Sequence, residues 1–414
     1  MSDWIDLDTM ARTREGKPPA TPAVVPAPPA ASGARRLSIA LVAEAAGGGV
    51  AVHLASLIEG LSACDNVDLH LIVPQGPRFD ASILDTSVLA RCRSVHAVPM
   101  ERAVGWHDAR AVARVYGLLL RIRPDIVHSH SSKAGAIARL CAGPWRHIYT
   151  PHAVYTLNPS LSDRQRRFYG AVEHWLGRLC SSRIIAVSHD EATHLHDALG
   201  IPWERIVTIA NGVPPLALLP RSAARQALGV ADNALVVGFV GRLEHQKGVD
   251  RLVRIARDTY RQCGDAVQFV VIGPGDFTAA AGADADDLPP NLRVVGALDQ
   301  ASRYFSAFDL FALPSRYEGF PYVCLEAMAA GVPTVASQVA GAAGLIQSRE
   351  IGIVVPNDDD TTDFTRAVVT LAQDAVQRIQ MSVNCARAAE HHSAAAMVSR
   401  TLALYHSLVL KESR

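Results

Sequence analysis

The sequence predicts an α/β protein built as two doubly wound units, each a parallel sheet covered by helices on both sides, facing each other across a cleft. Three observations carry this. After residue 35, short apolar runs alternate with stretches of helical periodicity almost to the end of the chain. The runs are apolar on consecutive positions, as in strands buried on both faces of a parallel sheet. Finally, the alternation is broken by Asn211-Gly212-Val213-Pro214-Pro215 and then restarts.

The elements follow in order. Residues 1–35 form a tail whose segment from Lys17 to Ala31 holds six prolines, which can neither continue a helix nor join a sheet ladder. It is expected to be a disordered linker, with a Pro-rich docking ligand as the other reading. The first unit, 36–212, opens with the run Leu37-Ser-Ile-Ala-Leu-Val-Ala. Gly47-Gly48-Gly49 follows, then a helical stripe at Val50, His53, Leu54, Leu57, Ile58 and Leu61. Further strands are predicted at 70–73, 94–98, 125–129, 147–150, 183–187 and 205–209. The second unit, 213–392, has strands at 234–240, 267–272, 293–295, 310–313, 334–336 and 353–355. Helices are predicted there at 249–260 and 321–330. The last segment, 393–414, is a helix that could cross back to the first unit.

Composition bounds the function. The chain has 414 residues, enough for two or three domains at roughly 150 residues each. Lys+Arg at 40 equals Asp+Glu at 40, so the bulk positive potential that grips nucleic acid is missing, and no nucleic-acid partner is expected. No run approaches the roughly 18 to 20 apolar residues that span a bilayer, and Met1-Ser-Asp-Trp-Ile-Asp lacks the features of a secretory signal. The seven cysteines form no C-x-x-C pair, so neither a disulfide framework nor a thiolate zinc site is indicated. A soluble, cytoplasmic protein is the expectation.

The most informative stretch runs from Pro314 to Pro333. Pro321 at a first helical position, Gly331 just past the end and Pro333 beyond it delimit a helix. Glu318 lies in the loop ahead of this helix and Glu326 inside it. The N–H groups of Gly319, Phe320, Tyr322 and Val323 lack intrahelical acceptors, which makes an anion or hydroxyl site. Glu326 stands among Val, Cys, Leu, Ala and Met, where a carboxylate needs partners such as a ribose diol. Helix capping and an internal ion pair are the plainer readings. Upstream, Arg242 and Lys247 lie between a strand end and the next helix, between Gly241 and Gly248. A guanidinium fork and an ammonium point charge there suit two adjoining phosphates.

Glu318-x7-Glu326 preceded by Gly241-Arg242-x4-Lys247-Gly248 resembles the retaining GT-B glycosyltransferases of glycosyltransferase family 4. The resemblance covers the chain from about Leu37. It implies a GT-B fold and a hexosyltransferase using a UDP- or GDP-linked sugar, with no further cofactor. By this resemblance Arg242 and Lys247 hold the donor diphosphate, Glu318 meets the sugar hydroxyls and Glu326 binds the ribose. Gly273 and Val295 lie in segments resembling those around the base and ribose, and Pro321 in the insert between the two acids. Gly48 and Gly49, in a loop that is not G-x-G-x-x-G, would lie against the diphosphate. His152 in Thr150-Pro151-His152 would stand beside the reacting sugar, although Ala153 occupies a position where the family usually has Gly. His130 and Lys133, in His128-Ser-His-Ser-Ser-Lys-Ala-Gly135, would line the acceptor side.

The metal readings are set aside. His128-x-His130 shows no third ligand, and Asp358-Asp359-Asp360 precedes a helix beginning near Thr361, where acids favour the positive end of the dipole. Ser188 and Glu191 have the spacing of a capping box. Expected partners are a nucleotide-sugar and a glycan or polyprenyl-linked acceptor, as in exopolysaccharide, capsule or lipopolysaccharide synthesis. Arg164, Arg166, Arg167, Phe168, Tyr169, Trp175 and Arg178 give one helix a basic, aromatic face that suits the inner surface of the cell membrane. A core-packed helix with a solvated basic face is the alternative there. For the whole chain the alternatives are a non-catalytic nucleotide-sugar-binding protein, a sugar-nucleotide epimerase or a phosphorylase of related architecture.

Overall fold

Seven strands of the first half form one parallel sheet, and six of the second half form another. A computed structural model describes residues 36–76, 78–100 and 105–410; the Pro-rich tail lies outside the described residues. The first sheet contains β1 (Leu37–Ala43), β2 (Val67–Pro74), β3 (Ser94–Val98), β4 (Ile126–His130), β5 (Arg146–Thr150), β6 (Arg183–Ala186) and β7 (Ile206–Thr208). Their order is β3-β2-β1-β4-β5-β6-β7. The second contains β8 (Leu235–Val240), β9 (Val267–Ile272), β10 (Leu292–Gly296), β11 (Leu310–Leu313), β12 (Thr334–Ser337) and β13 (Gly352–Val355), in the order β10-β9-β8-β11-β12-β13. All pairings are parallel.

The continuous apolar runs have a direct cause. In β1, Ile39 and Leu41 enter one core while Ala40 and Val42 enter another on the opposite face of the sheet. In β8, Val236 and Val240 face one core, and Val237 and Phe239 the other. Burying a side chain of this size contributes roughly 1.5–3 kcal/mol, so a strand covered on both faces keeps apolar residues throughout.

In each sheet the strand order reverses once, between β1 and β4 in the first and between β8 and β11 in the second. Such switch points open a crevice outside the carboxyl ends of the strands. The Gly47–Gly49 loop follows β1, the Arg242–Lys247 loop follows β8, and the Glu318 loop follows β11. Topology therefore puts the sequence-predicted loops where ligands bind.

The chain crosses between the halves twice. Val213 N–H donates to His392 O at 2.9 Å, and Ala394 N–H donates to Val213 O at 3.0 Å. The strands of passage lie so close that a Cβ on Gly212 would come within 2.2 Å of the Ser393 carbonyl oxygen, which excludes a larger residue there. The helix Ala394–Val409 then packs on the helix Gly48–Ser62, so that Met397, Val398, Tyr405 and Leu408 share a core with Ile39 and Leu54. The end of the chain thus completes the first half. Residues from Arg36 onward cluster as one unit. Among the described residues no helix is long and apolar enough to cross a membrane.

Two expectations need correction. The helix after Glu318 is Tyr322–Ala329, with Pro321 as the residue before it (ψ 120°) and not its first member. The Asp358–Asp360 run is not a simple cap. Asp360 accepts from Thr362 N–H at 2.9 Å, but Asp359 is drawn away by Arg251 and Arg316, each at 2.9 Å. Two guanidiniums outcompete the partial charge of a helix end.

Candidate active site

The loops after β8 and β11 are fastened side by side. Arg316 N–H donates to Gln246 O at 2.8 Å, and Gln246 Nε2 donates to Tyr317 O at 3.0 Å. This brings Lys247 Nζ to 2.7 Å from Glu318 Oε1, with both side chains mostly buried. The two signals found separately in sequence are one ion pair at the β8/β11 switch point. Arg242 differs: it is 55% exposed and pairs with Glu244 at 2.7 Å. Gly273 follows β9 with its backbone pressed against Gly241, whereas Val295 is on β10, two strands away from β8.

Glu326, on the helix Tyr322–Ala329, is part-buried, and its carboxylate has no hydrogen-bond or ion-pair partner among the described residues. Desolvation pushes its carboxyl up from 4.5 to about 7. Because the folded-state value is the higher one, the stability this group contributes is full below about 4.5 and lost as pH rises through about 7. A ligand diol would favour the ionised form by donating to it. Binding of a nucleotide whose ribose reaches Glu326 should therefore strengthen as pH rises through about 7, with release of a proton from that carboxyl. Calorimetry in buffers of different ionisation enthalpy reads the proton. Glu326→Ala should weaken nucleotide binding and abolish the release, while Glu318→Ala should chiefly lower turnover. Equal affinity in wild type and both variants would reject this division.

Across the cleft, Gly319 packs against the loop after β5: a Cβ there would lie 2.6 Å from Ala153 N. Tyr322 packs against Gly49, and Asn211 Nδ2 donates to Phe320 O at 3.3 Å. Gly341 N–H donates to Asp190 Oδ2 at 3.0 Å. The backbone of the Gly319–Tyr322 segment is thus the floor on which the first half rests.

The loop bearing His152 is held in an unusual conformation, with φ 58° at His152 and 103° at Ala153. Left-handed backbone favours glycine, which explains why Ala153 stands out at this position. Glu191 holds the loop. Its Oε1 accepts from Ala153 N–H at 3.0 Å and Val154 N–H at 3.1 Å, and its Oε2 from Val187 N–H at 2.8 Å. Ser188 caps Glu191 N–H as the spacing predicts, but the Glu191 side chain serves this loop and does not return to Ser188. Ala153→Gly should relieve the strain and stabilise the protein by about 1 kcal/mol in urea unfolding; a destabilised variant would show that the methyl group's packing outweighs the strain.

His152 Nε2 lies 3.1 Å from His130 Nδ1, and His53 stacks edge-on against His152 with ring centroids 4.5 Å apart. Burial holds all three imidazoles below their usual range: His53 at about 4, His130 and His152 well below 6.5. His128 is one layer deeper, between Tyr405 OH at 2.6 Å and Thr150 Oγ1 at 2.8 Å. Of the acceptor-side candidates, His130 joins this cluster, whereas Lys133 pairs with Asp108 at 2.7 Å. Gly48 and Gly49 open the helix that carries His53.

Sequence reasoning missed the part that His53, Asn211 and Glu191 play at the site. Periodicity places His53 on the apolar stripe of its helix, and the one available signal was an imidazole among aliphatic neighbours. In the structure His53 Nδ1 meets Asn211 Oδ1 and Tyr322 OH, each at 3.1 Å.

Two doubly wound domains with an ion pair at one switch point, a glycine loop at the other and a closed seam between them define a GT-B protein. Comparison with known proteins supplies the family. Residues 47–215 match the model described as Glycosyltransferase Family 4, and residues 234–374 the model described as Glycosyl transferases group 1. The chain belongs to the GT-B glycosyltransferases of the family 4 type. It is 28% identical over 341 residues to the UDP-Gal:alpha-D-GlcNAc-diphosphoundecaprenol alpha-1,3-galactosyltransferase of Escherichia coli, covering 78% of this chain and 84% of that one. It is also 28% identical to the D-inositol 3-phosphate glycosyltransferase of Rhodococcus erythropolis (strain PR4 / NBRC 100887), covering 79% of each chain. Among solved structures, sucrose-phosphate synthase from Thermosynechococcus elongatus superposes with a TM-score of 0.76 at 20% identity, covering 91% of this chain and 100% of that one, a likeness of fold.

Proposed function

We propose that this glycosyltransferase moves a hexosyl group, with retention at the anomeric carbon, from a UDP- or GDP-linked sugar to a glycan or polyprenyl-linked acceptor. Exopolysaccharide, capsule or lipopolysaccharide assembly at the inner face of the cell membrane is the setting. The observation that carries this is the Lys247–Glu318 pair at the β8/β11 switch point, with the unpartnered Glu326 on the following helix. Lys247 meets the diphosphate, Glu318 the sugar hydroxyls and Glu326 the ribose. Arg242 swings from Glu244 to the phosphates, a small rearrangement for an exposed side chain. Gly319, Phe320, Tyr322 and Val323 line the donor side, with Gly48 and Gly49 opposite. The E. coli relative, whose name gives a UDP-Gal donor, a diphosphoundecaprenol-linked acceptor and an α-1,3 product, supports the donor and acceptor classes.

Retention proceeds by front-face substitution: the departing phosphate oxygen takes the acceptor proton, and the new glycosidic bond forms as the old one breaks. Lys247, Arg242 and backbone N–H groups stabilise charge on the leaving diphosphate, so no divalent metal is needed for turnover. His152 and His130, held neutral by burial, offer hydrogen bonds to the sugar and acceptor without adding charge. Thermal shift against UDP, GDP, ADP and TDP identifies the base, because a bound ligand raises apparent stability by mass action. NMR of the product then reads the anomeric configuration. A β-linked product from an α-linked donor would reject retention, and hydrolysis or transfer abolished by EDTA and restored by manganese would reject the metal-free route.

The membrane face rests on the helix Asp163–Leu179, where Phe168 is 58%, Trp175 61% and Leu179 70% exposed along one stripe with Arg164 and Arg167. Arg166 and Arg178 are bound to backbone carbonyls and contribute charge alone. The protein should float with anionic liposomes, and Phe168→Glu with Trp175→Glu should leave it at the bottom of the gradient. Wild-type protein that stays at the bottom would reject the contact.

A further inference from the structure

His53, His130 and His152 come from three separate segments: the helix after the first glycine loop, the carboxyl end of β4 and the loop after β5. One ring nitrogen from each lies within 4.8 Å of the others. The sequence shows His128-x-His130 without a third ligand. The fold supplies two further imidazoles at His130 and turns His128 away, into Tyr405 and Thr150.

We infer that His53, His130 and His152 form a binding site for a borderline transition ion such as Zn²⁺, and that an ion seated there inhibits the transferase. Geometry is the first ground. Tetrahedral zinc with Zn–N bonds of about 2.0–2.1 Å sets ligand nitrogens roughly 3.3–3.4 Å apart. His130 Nδ1 and His152 Nε2 are already 3.1 Å apart. The second ground is the state of the rings. His130 is fully buried, its Nε2 has no partner among the described residues, and its Nδ1 faces only another imidazole. Such a ring has a lone pair to give.

His53 carries the third ground, an outer support of the kind that orients metal-bound histidines. Asn211 donates through Nδ2 to Phe320 O, which leaves its Oδ1 as the acceptor for His53 Nδ1–H. His53 therefore keeps its Nε2 lone pair free. Sets of imidazole ligands suit Zn²⁺, Ni²⁺ and Cu²⁺. The inhibitory half of the inference rests on the proposed function: with His152 engaged by the ion, its ring nitrogen no longer serves the sugar.

The test begins without any sugar donor. EDTA-stripped full-length protein is titrated with Co²⁺, followed by its visible absorption, and then with Zn²⁺. One equivalent of Co²⁺ should give a four-coordinate spectrum that one equivalent of Zn²⁺ removes. His53→Ala and His130→Ala should each weaken binding by at least about 100-fold, and Asn211→Ala by roughly 10- to 100-fold. His391→Ala, at an exposed position outside the cluster, should bind as wild type does. Wild type lacking a one-equivalent site, or His130→Ala retaining it, overturns the site whatever the variants do to folding. In the transfer assay Zn²⁺ should inhibit wild type reversibly, with activity recovered on EDTA addition. Undiminished transfer at metal saturation overturns the inhibition. Absence of transfer in metal-free protein bears on the proposed function alone.

Discussion

Lys247→Ala is expected to lower turnover by about a hundred- to a thousandfold, equivalent to roughly 2.7–4 kcal/mol, because under the proposed function it removes a preorganised charge aimed at the leaving group. The expectation is sharpened by its surroundings. Lys247 is 16% exposed and Glu318 7%, so removing the ammonium also leaves a buried carboxylate without its cation. The variant should therefore lose stability as well as rate. Arg242→Ala should fall in the same range for turnover. It should leave stability nearly unchanged, since its partner Glu244 is 45% exposed and exposed pairs contribute little. Steady-state kinetics with urea unfolding of both variants separates the effects. Near-wild-type turnover in Lys247→Ala would place the donor diphosphate elsewhere.

Glu191→Ala should be the most destabilising single change near the cleft. Three backbone N–H groups, of Ala153, Val154 and Val187, would lose their acceptor inside the protein. At about 1 kcal/mol or more for each unsatisfied buried donor, the loss is roughly 3 kcal/mol or more. The His152 loop would also be free to leave its left-handed conformation, so turnover should fall together with stability. Glu191→Gln keeps one acceptor oxygen for Ala153 and Val154 but turns an NH₂ toward Val187 N–H, and should lie between. Urea unfolding reads the series. An alanine variant within 1 kcal/mol of wild type, a margin set roughly by one such hydrogen bond, would show that water replaces the carboxylate.

Much of the fold was legible because a parallel sheet covered on both faces writes itself as consecutive apolar residues. The strands at Val267–Ile272 and Leu310–Leu313 have the predicted ends. Helix starts were less legible: Pro321 fits either the first helical residue or the one before it, and only the tertiary position of Phe320 and Gly319 under the first half decides. The acidic run at Asp358–Asp360 shows the same limit, since Arg251 and Arg316 come from elements more than forty residues upstream.

By itself the sequence determined the doubly wound halves, the loops at their strand ends and the residue types Arg242, Lys247, Glu318 and Glu326, all of which depend on local pattern and spacing. The tertiary structure alone decided which of these meet. Lys247 reaches Glu318 across 71 residues, His53 reaches Tyr322 across 269, and Tyr405 reaches His128 across 277. Such contacts follow from the order of strands in a sheet and from the chain crossing back on itself. Neither leaves a periodic trace, because a buried imidazole or carboxylate is selected by partners distant in the chain and not by its neighbours in sequence.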